Sequence, residues 1–175
     1  FTDIAEVDAL CHVARAFKDD SIYHVSGSVD AKRDIDAINS ELLLHDLIFI
    51  EKRFERLDKK VKQTREEASI KERDLLLKLK AHLDKELPLR TLDISPDENK
   101  LLTSYPFLTR KEMVIVLNVS EDQLKNKPQI TADNIMQVSA KVEGEIAALD
   151  SEDERGVFRA DLGIIEPAMN ILTRL

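Results

Sequence analysis

Tryptophan is absent from this chain of 175 residues, aromatic side chains make up 5% of it, and there are only 4 glycines and 5 prolines. Sandwiches, barrels and propellers need frequent turns, so this poverty of turn formers disfavours them and leaves helix to dominate. A single cysteine, Cys11, excludes an internal disulfide and any multi-cysteine metal site. That pattern fits a reducing compartment and makes the cytoplasm the expected location. No run approaches the ~18 apolar residues of a membrane span. Asp3, Glu6 and Asp8 also crowd the first ten residues, so neither a membrane contact nor a signal peptide is read. Positive charge is short as well: 26 Lys and Arg face 34 Asp and Glu, a net charge of -8. That balance excludes DNA as a partner and confines any RNA contact to a local patch. What is present is 43% hydrophobic, enough to bury the core of one ordinary domain or of a smaller domain carrying an insertion. The chain opens at Phe1 without an initiator methionine and reads as a piece of a longer product.

Along the chain, the apolar run from Val7 to Phe17 reads as a buried strand and residues 18–33 as a loop. A helical pattern follows, with Asp34 and Asp36 in its first turn, where acidic residues suit the helix dipole. From Leu43 the apolar positions 43, 47, 50, 54, 57 and 61 alternate steps of four and three, which is a heptad seam. Between Glu51 and Asp74 nine Lys and Arg face seven Asp and Glu, so this stretch is +2 and the remainder -10. A second pattern with Ile70, Leu76, Leu79 and Leu83 ends near Leu87-Pro88, and two such helices in succession predict an antiparallel hairpin. Ser95-Pro96-Asp97-Glu98 then supplies an N-cap, a first-position proline and acidic first-turn residues for a short helix. Met113-Val-Ile-Val-Leu117 is a continuous aliphatic run of the kind found in a parallel sheet buried on both faces, and Ile135-Met-Gln-Val138 is a shorter one. Each is followed by a loop and a helix, the α/β order. The chain therefore reads as an α/β sheet core, residues 1–40 and 106–175, interrupted by a helical insertion over 41–105.

Ligands in open α/β sheets collect beyond the carboxyl ends of the strands, and two polar clusters fall there. Asn118-Val-Ser-Glu121 follows the first strand and Ser139-Ala-Lys141 the second. An asparagine in that place can bridge two loops or hydrogen-bond a base edge, and a lysine can lay its alkyl stem on a flat ring. Either cluster alone is as well explained by loop starters and helix N-caps. In tandem they resemble the guanine-recognition motifs of the translation-factor-related GTPases, with Asn-Lys-x-Asp altered to Asn-Val-Ser-Glu. With a charged hairpin before them, they resemble the YchF / Obg-like ATPase family. Glu6-Val-Asp-Ala-Leu-Cys-His-Val13, His24-Val-Ser-Gly-Ser-Val-Asp30, Arg33 to Leu47, Glu51-Lys-Arg53 and Val138 to Asp150 resemble stretches of that family too.

The resemblance implies a P-loop nucleoside triphosphate hydrolase whose parallel sheet is interrupted by an antiparallel coiled coil. It would prefer ATP to GTP, use Mg2+, and act on the ribosome or translation machinery. Asn118, Val119, Glu121, Ser139, Ala140 and Lys141 would surround the base. In the GTPase motif a carboxylate one methylene shorter takes both the N1 and N2 protons of guanine; Glu121 is displaced and Val119 apolar, so guanine loses its bidentate partner. Phe1 to Ala5 resembles the strand leading to the family's Asp-x-x-Gly motif, which would give Asp3 a supporting role at magnesium. There are departures. Ala5 runs directly into Glu6 where the family has a glycine-rich switch, and a similar closure is expected near Pro128-Gln129. No Gly-x-x-x-x-Gly-Lys-Ser/Thr occurs, so these 175 residues alone should not hydrolyse nucleotide. A ubiquitin-like module is expected after Leu175.

Other residues carry plainer expectations. His12, His24, His45 and His82 lack metal-ligand spacing. Cys11, among apolar neighbours, is expected to be an inert buried thiol. The stem charges read either as a solvated coiled-coil surface or, at Lys59, Lys60, Lys62 and Arg65, as contacts to ribosomal RNA phosphates. Two other readings stay open: a non-enzymatic adaptor whose coiled coil binds a protein, and an RNA-binding module acting through the stem.

Overall fold

Five consecutive aliphatic side chains, Met113 to Leu117, are all buried, and they form the centre of strand β2 (Glu112–Asn118). A computed structural model describes residues 2–126, 130, 132, 134–164 and 168 of the chain; Phe1, Pro128 and Gln129 lie outside the described residues. The described residues divide by packing into two units, residues 1–8 with 37–112 and residues 9–36 with 113–175.

The first unit is helical. Helix α2 (Ala31–Thr64) runs for 34 residues, beginning in the second unit and passing unbroken through residue 40. Arg65, at φ 49°, and Glu66 turn the chain into α3 (Glu67–Leu83). Ile50 and Leu57 of the heptad seam bury against Leu75, Leu76, Leu79 and Leu83, joined by Leu89, Leu102 and Phe107. Leu43, Leu47, Phe49, Leu92, Ile94 and Tyr105 pack around that core. Burying each of these large aliphatic side chains is worth about 2 kcal/mol, more than the few tenths that helix propensity contributes per residue. Phe49, Tyr105 and Phe107 meet edge to face, with centroids 5.4 to 5.6 Å apart. Arg53 crosses the hairpin, donating from Nη2 to Glu72 at 2.6 Å and from Nε to the Tyr105 hydroxyl at 3.0 Å. Helix α4 (Pro96–Leu101) has the expected cap: Ser95 and Glu98 exchange side-chain and backbone bonds in a capping box.

Residues 2–8 also belong to this unit. Thr2–Ala5 forms one helical turn, α1, not the strand expected from the sequence. Lys111 Nζ donates to the carbonyls of Ala5 and Val7 and holds the segment in place.

The second unit carries a three-stranded sheet in the order β1-β2-β3, from β1 (Ala9–Arg15), β2 and β3 (Ile135–Val138). β2 and β3 are parallel, with Ile115 opposite Ile135 and Asn118 opposite Val138. Helix α5 (Glu121–Leu124) follows β2, and α6 (Ala140–Ala147) and α7 (Glu152–Asp161) follow β3; Val142 and Ile146 are the buried residues of α6. The α/β order with a parallel pair is therefore present. β1 departs from expectation: Ala14 is buried, yet Cys11 and Val13, on the opposite face, are exposed. Cys11 is thus not the buried thiol read from its apolar neighbours, because the strand lies at the edge of the three and one of its faces is uncovered among the described residues.

His12, on the other face of β1, has a buried Nδ1 with no partner among the described residues. Burial lowers its pKa below the usual value, against an opposing pull from the Asp34 carboxylate. As pH falls, the unfolded chain takes this proton first, so the folded state loses stability through about pH 6.5 and is unaffected above it. His12→Gln is expected to flatten that part of the stability curve. Denaturant midpoints at about pH 7.5 and pH 5.5 check it, and an equal acid loss in both proteins contradicts it.

Candidate functional site

Parallel pairing of β2 with β3 ends at Asn118 opposite Val138, so the two polar clusters leave neighbouring strands at the same end. The register is locked one residue further on, where Val119 N donates to Val138 O at 2.9 Å. Asn118 Oδ1 accepts from Ala140 N at 3.0 Å and so bridges the loops directly. That bond leaves the Asn118 amide nitrogen as the donor for a ligand, since the oxygen and the Ala140 N–H are committed to each other. Ser139 is buried and caps α6, its Oγ 3.5 Å from Val142 N. Val119 is buried, whereas Glu121, Ala140 and Lys141 are exposed. The Lys141 ammonium lies 3.9 Å from Glu145, one turn on, which leaves its alkyl stem free to cover a flat group.

The six residues expected around a base thus stand on two loops tied to each other. The other candidates are elsewhere in the chain. Asp3 is an exposed residue of α1 in the first unit, and among the described residues no three His, Cys, Asp or Glu side chains converge as metal ligands. Of the four stem-tip cations, Lys60 pairs with Glu66 at 2.6 Å and Lys62 with Asp58 at 2.6 Å, while Lys59 and Arg65 are exposed without an ion pair among the described residues. The Lys60 contact holds the Glu66 carboxyl below the usual carboxylate range.

Two glutamines complete the site and were not singled out from sequence. Gln123 Oε1 accepts from Ser120 N at 2.9 Å and Ser120 Oγ at 3.0 Å, while its Nε2 donates to Ala16 O at 3.1 Å. Gln137 Nε2 donates to the carbonyls of Gln123 and Asn126, at 2.8 and 3.2 Å. Gln123 therefore fastens the Asn118 to Glu121 loop to the end of β1, and Gln137 fastens α5 to β3. The available signal was Ser120-x-x-Gln123, the spacing of a capping box. Behind the loop lies a cavity of about 210 Å³ lined by Ala16, Leu117, Val119, Gln123 and Gln137, among others. Gln123→Ala strips three bonds from the loop and is expected to cost about 1 to 3 kcal/mol of stability. Denaturant midpoints check it, and an unchanged midpoint contradicts the fastening role.

No family model matches the chain. It is 39% identical to the ribosome-binding ATPase YchF of Bacillus subtilis over 98% of its own length and 50% of that protein's. To the ribosome-binding ATPase YchF of Escherichia coli O157:H7 it is 38% identical, covering 99% of this chain and 50% of the relative. Its fold matches the solved structure of the Schizosaccharomyces pombe YchF GTPase with a TM-score of 0.84 at 27% identity, over 99% of this chain and 50% of that one. The chain spans about half the length of the curated relatives it matches.

Proposed function

This chain is a YchF-family sequence over nearly its whole length, and on that premise we propose that its protein is a nucleoside triphosphate hydrolase, preferring ATP to GTP, that works as a switch on the ribosome. The supporting observation is the Asn118–Ala140 bond, which ties an Asn-Val-Ser-Glu loop to a Ser-Ala-Lys loop at the ends of paired parallel strands. Two loops so joined make a slot for a flat base, with the Asn118 amide nitrogen as donor, Val119 as apolar support and the Lys141 stem as cover. Glu121 on the first turn of α5 is exposed and takes no described partner, so nothing holds it in the bidentate pose that guanine requires. Adenine, which lacks the N1 and N2 protons of guanine, is indifferent to that loss.

In this reading, residues 1–40 and 106–175 are the nucleotide-binding domain and 41–105 a coiled-coil insertion in a cytoplasmic protein. Lys59 and Arg65 would meet ribosomal RNA phosphates. The phosphate end is a different matter. None of the four glycines marks a close approach, since a Cβ added at any of them meets nothing within 4 Å. Asp3 is exposed and joins no group of three potential metal ligands among the described residues, so those residues do not make a magnesium site. The chemistry of hydrolysis is accordingly not assigned to any residue of this chain; its contribution is to hold and orient the base.

The test uses the protein at the length of its relatives. ATP and GTP are titrated into wild type and Asn118→Ala; tighter ATP binding that falls about 10-fold or more in the variant supports the slot. Equal affinity in the variant removes it.

A further inference from the structure

The two helices of the hairpin dispose of their positive charge differently. On α3 every lysine and arginine, Lys71, Arg73, Lys78 and Lys80, lies 2.7 to 2.9 Å from a carboxylate. Toward the end of α2, Lys60 and Lys62 are also paired, each at 2.6 Å. Lys52, Arg56 and Lys59 are not: all three are exposed, and none has an ion pair or a side-chain hydrogen bond among the described residues. Steps of four and three put them on one face of the helix, over about 10 Å of its length, and the exposed Arg65 follows at the turn. Glu55 stands three residues from Lys52 and four from Lys59, close enough on a helix to meet either, yet it pairs with neither among the described residues. The face is therefore a ladder of open positive charge on a chain whose net charge is -8.

The chemistry of this ladder selects its partner. A protein interface is built around a desolvated apolar or aromatic centre and is depleted in lysine. Between Ile48 and Leu77 no large apolar side chain is exposed among the described residues, so the stem offers no such centre. Insertion into a lipid surface needs an apolar face as well. Unpaired bases are held by stacking on exposed rings, which this stretch also lacks. A duplex backbone requires none of these, because it binds by charge and by release of its counterions. Lys60 and Lys62 have their counter-charge within the fold and bring little to that exchange; the free cations carry it. We infer that Lys52, Arg56 and Lys59 form a contact for the phosphates of duplex RNA along the side of the stem, continuous with the tip contact at Arg65. The choice of RNA rests on the ribosomal reading above, whereas the ladder rests on the charges alone.

The probe is a labelled RNA duplex of about 16 base pairs, titrated with the protein at the length of its relatives between about 50 mM and about 200 mM salt. Lys52→Gln/Arg56→Gln is expected to weaken binding about 30-fold at about 100 mM salt and to lower the salt slope by about 2. Lys60→Gln/Lys62→Gln takes the same charge from the same stem, but from existing ion pairs, and is expected to lower the slope by less than about 1. Glu55→Gln is expected to tighten binding about 3-fold, a gain that unfolding cannot produce. All of these side chains but Glu55 are cations on the surface, and unchanged melting temperatures establish that the variants fold. An unchanged slope in Lys52→Gln/Arg56→Gln overturns the ladder, as does an equal fall in the two double variants, which would make net charge alone the cause. Wild type that leaves the duplex free at about 50 mM salt overturns it too. Sedimentation with purified ribosomes separates the two readings. Ribosome binding lost in Lys52→Gln/Arg56→Gln with duplex affinity unchanged overturns the ladder and gives the face to an acidic protein. Wild type that binds the duplex through these residues but does not sediment with ribosomes supports the ladder and removes the ribosomal reading.

Discussion

Asp46→Ala is expected to cost about 3 to 5 kcal/mol of stability, a large part of the 5 to 15 kcal/mol that ordinarily holds a domain folded. The Asp46 side chain is fully buried, and its carboxylate gathers three donors from a segment more than sixty residues away in sequence. Leu108 N donates to Oδ1 at 2.9 Å; Thr109 N and Oγ1 donate to Oδ2 at 2.8 and 2.7 Å. His45 Nδ1 lies 3.3 Å from Oδ1. Alanine would strand two buried N–H groups and a hydroxyl, each costing about 1 to 3 kcal/mol when left unpaired. Asp46→Asn keeps the volume and one acceptor but turns an amide nitrogen toward donors, so about 2 kcal/mol of loss is expected. Thr109, whose Oγ1 also accepts from Leu89 N at 3.1 Å, is the matching partner. Its change to alanine should be strongly non-additive with Asp46→Ala, because both remove one network. Denaturant midpoints check the series; a loss under 1 kcal/mol for Asp46→Ala contradicts the assigned role.

The second large effect concerns base choice. Val119→Lys/Glu121→Asp, made in the protein at the length of its relatives, is expected to move the ATP-to-GTP affinity ratio toward GTP by about 100-fold. The shorter carboxylate recovers two charge-assisted bonds to guanine, and the lysine lays its stem along the ring. Val119 is 5% exposed, so its replacement carries a packing cost that a melting curve must register separately. Glu121→Asp alone, at an exposed position, avoids that cost and should shift the ratio in the same direction by less. Unchanged preference in both variants contradicts the placement of the base between these loops.

Where the sequence could be read, the reason was locality. The run Met113 to Leu117 announced a strand buried on both faces because every position is aliphatic, and the heptad from Leu43 to Val61 announced the seam that Ile50 and Leu57 bury. The Ser95 cap was equally visible, being settled within four residues. β1 was legible as a strand but not in its burial, since which face of it is covered depends on neighbours outside its own pattern. Asp46 was invisible for the same reason: an aspartate on a charged helix reads as solvated, and only the return of Leu108 and Thr109 buries it. At the candidate site, the bridging capacity of Asn118 followed from its place after a strand, whereas the bonds of Gln123 to Ala16 and of Gln137 to Gln123 span more than ten residues each.

The most direct measurement is the dissociation constant of ATP and of GTP for the protein at the length of its relatives, with magnesium present, in wild type and Asn118→Ala. The account predicts ATP bound more tightly than GTP, with both affinities reduced in the variant because the Asn118–Ala140 tie and the base donor are lost together. GTP bound more tightly, or ATP bound equally by the two proteins, contradicts it.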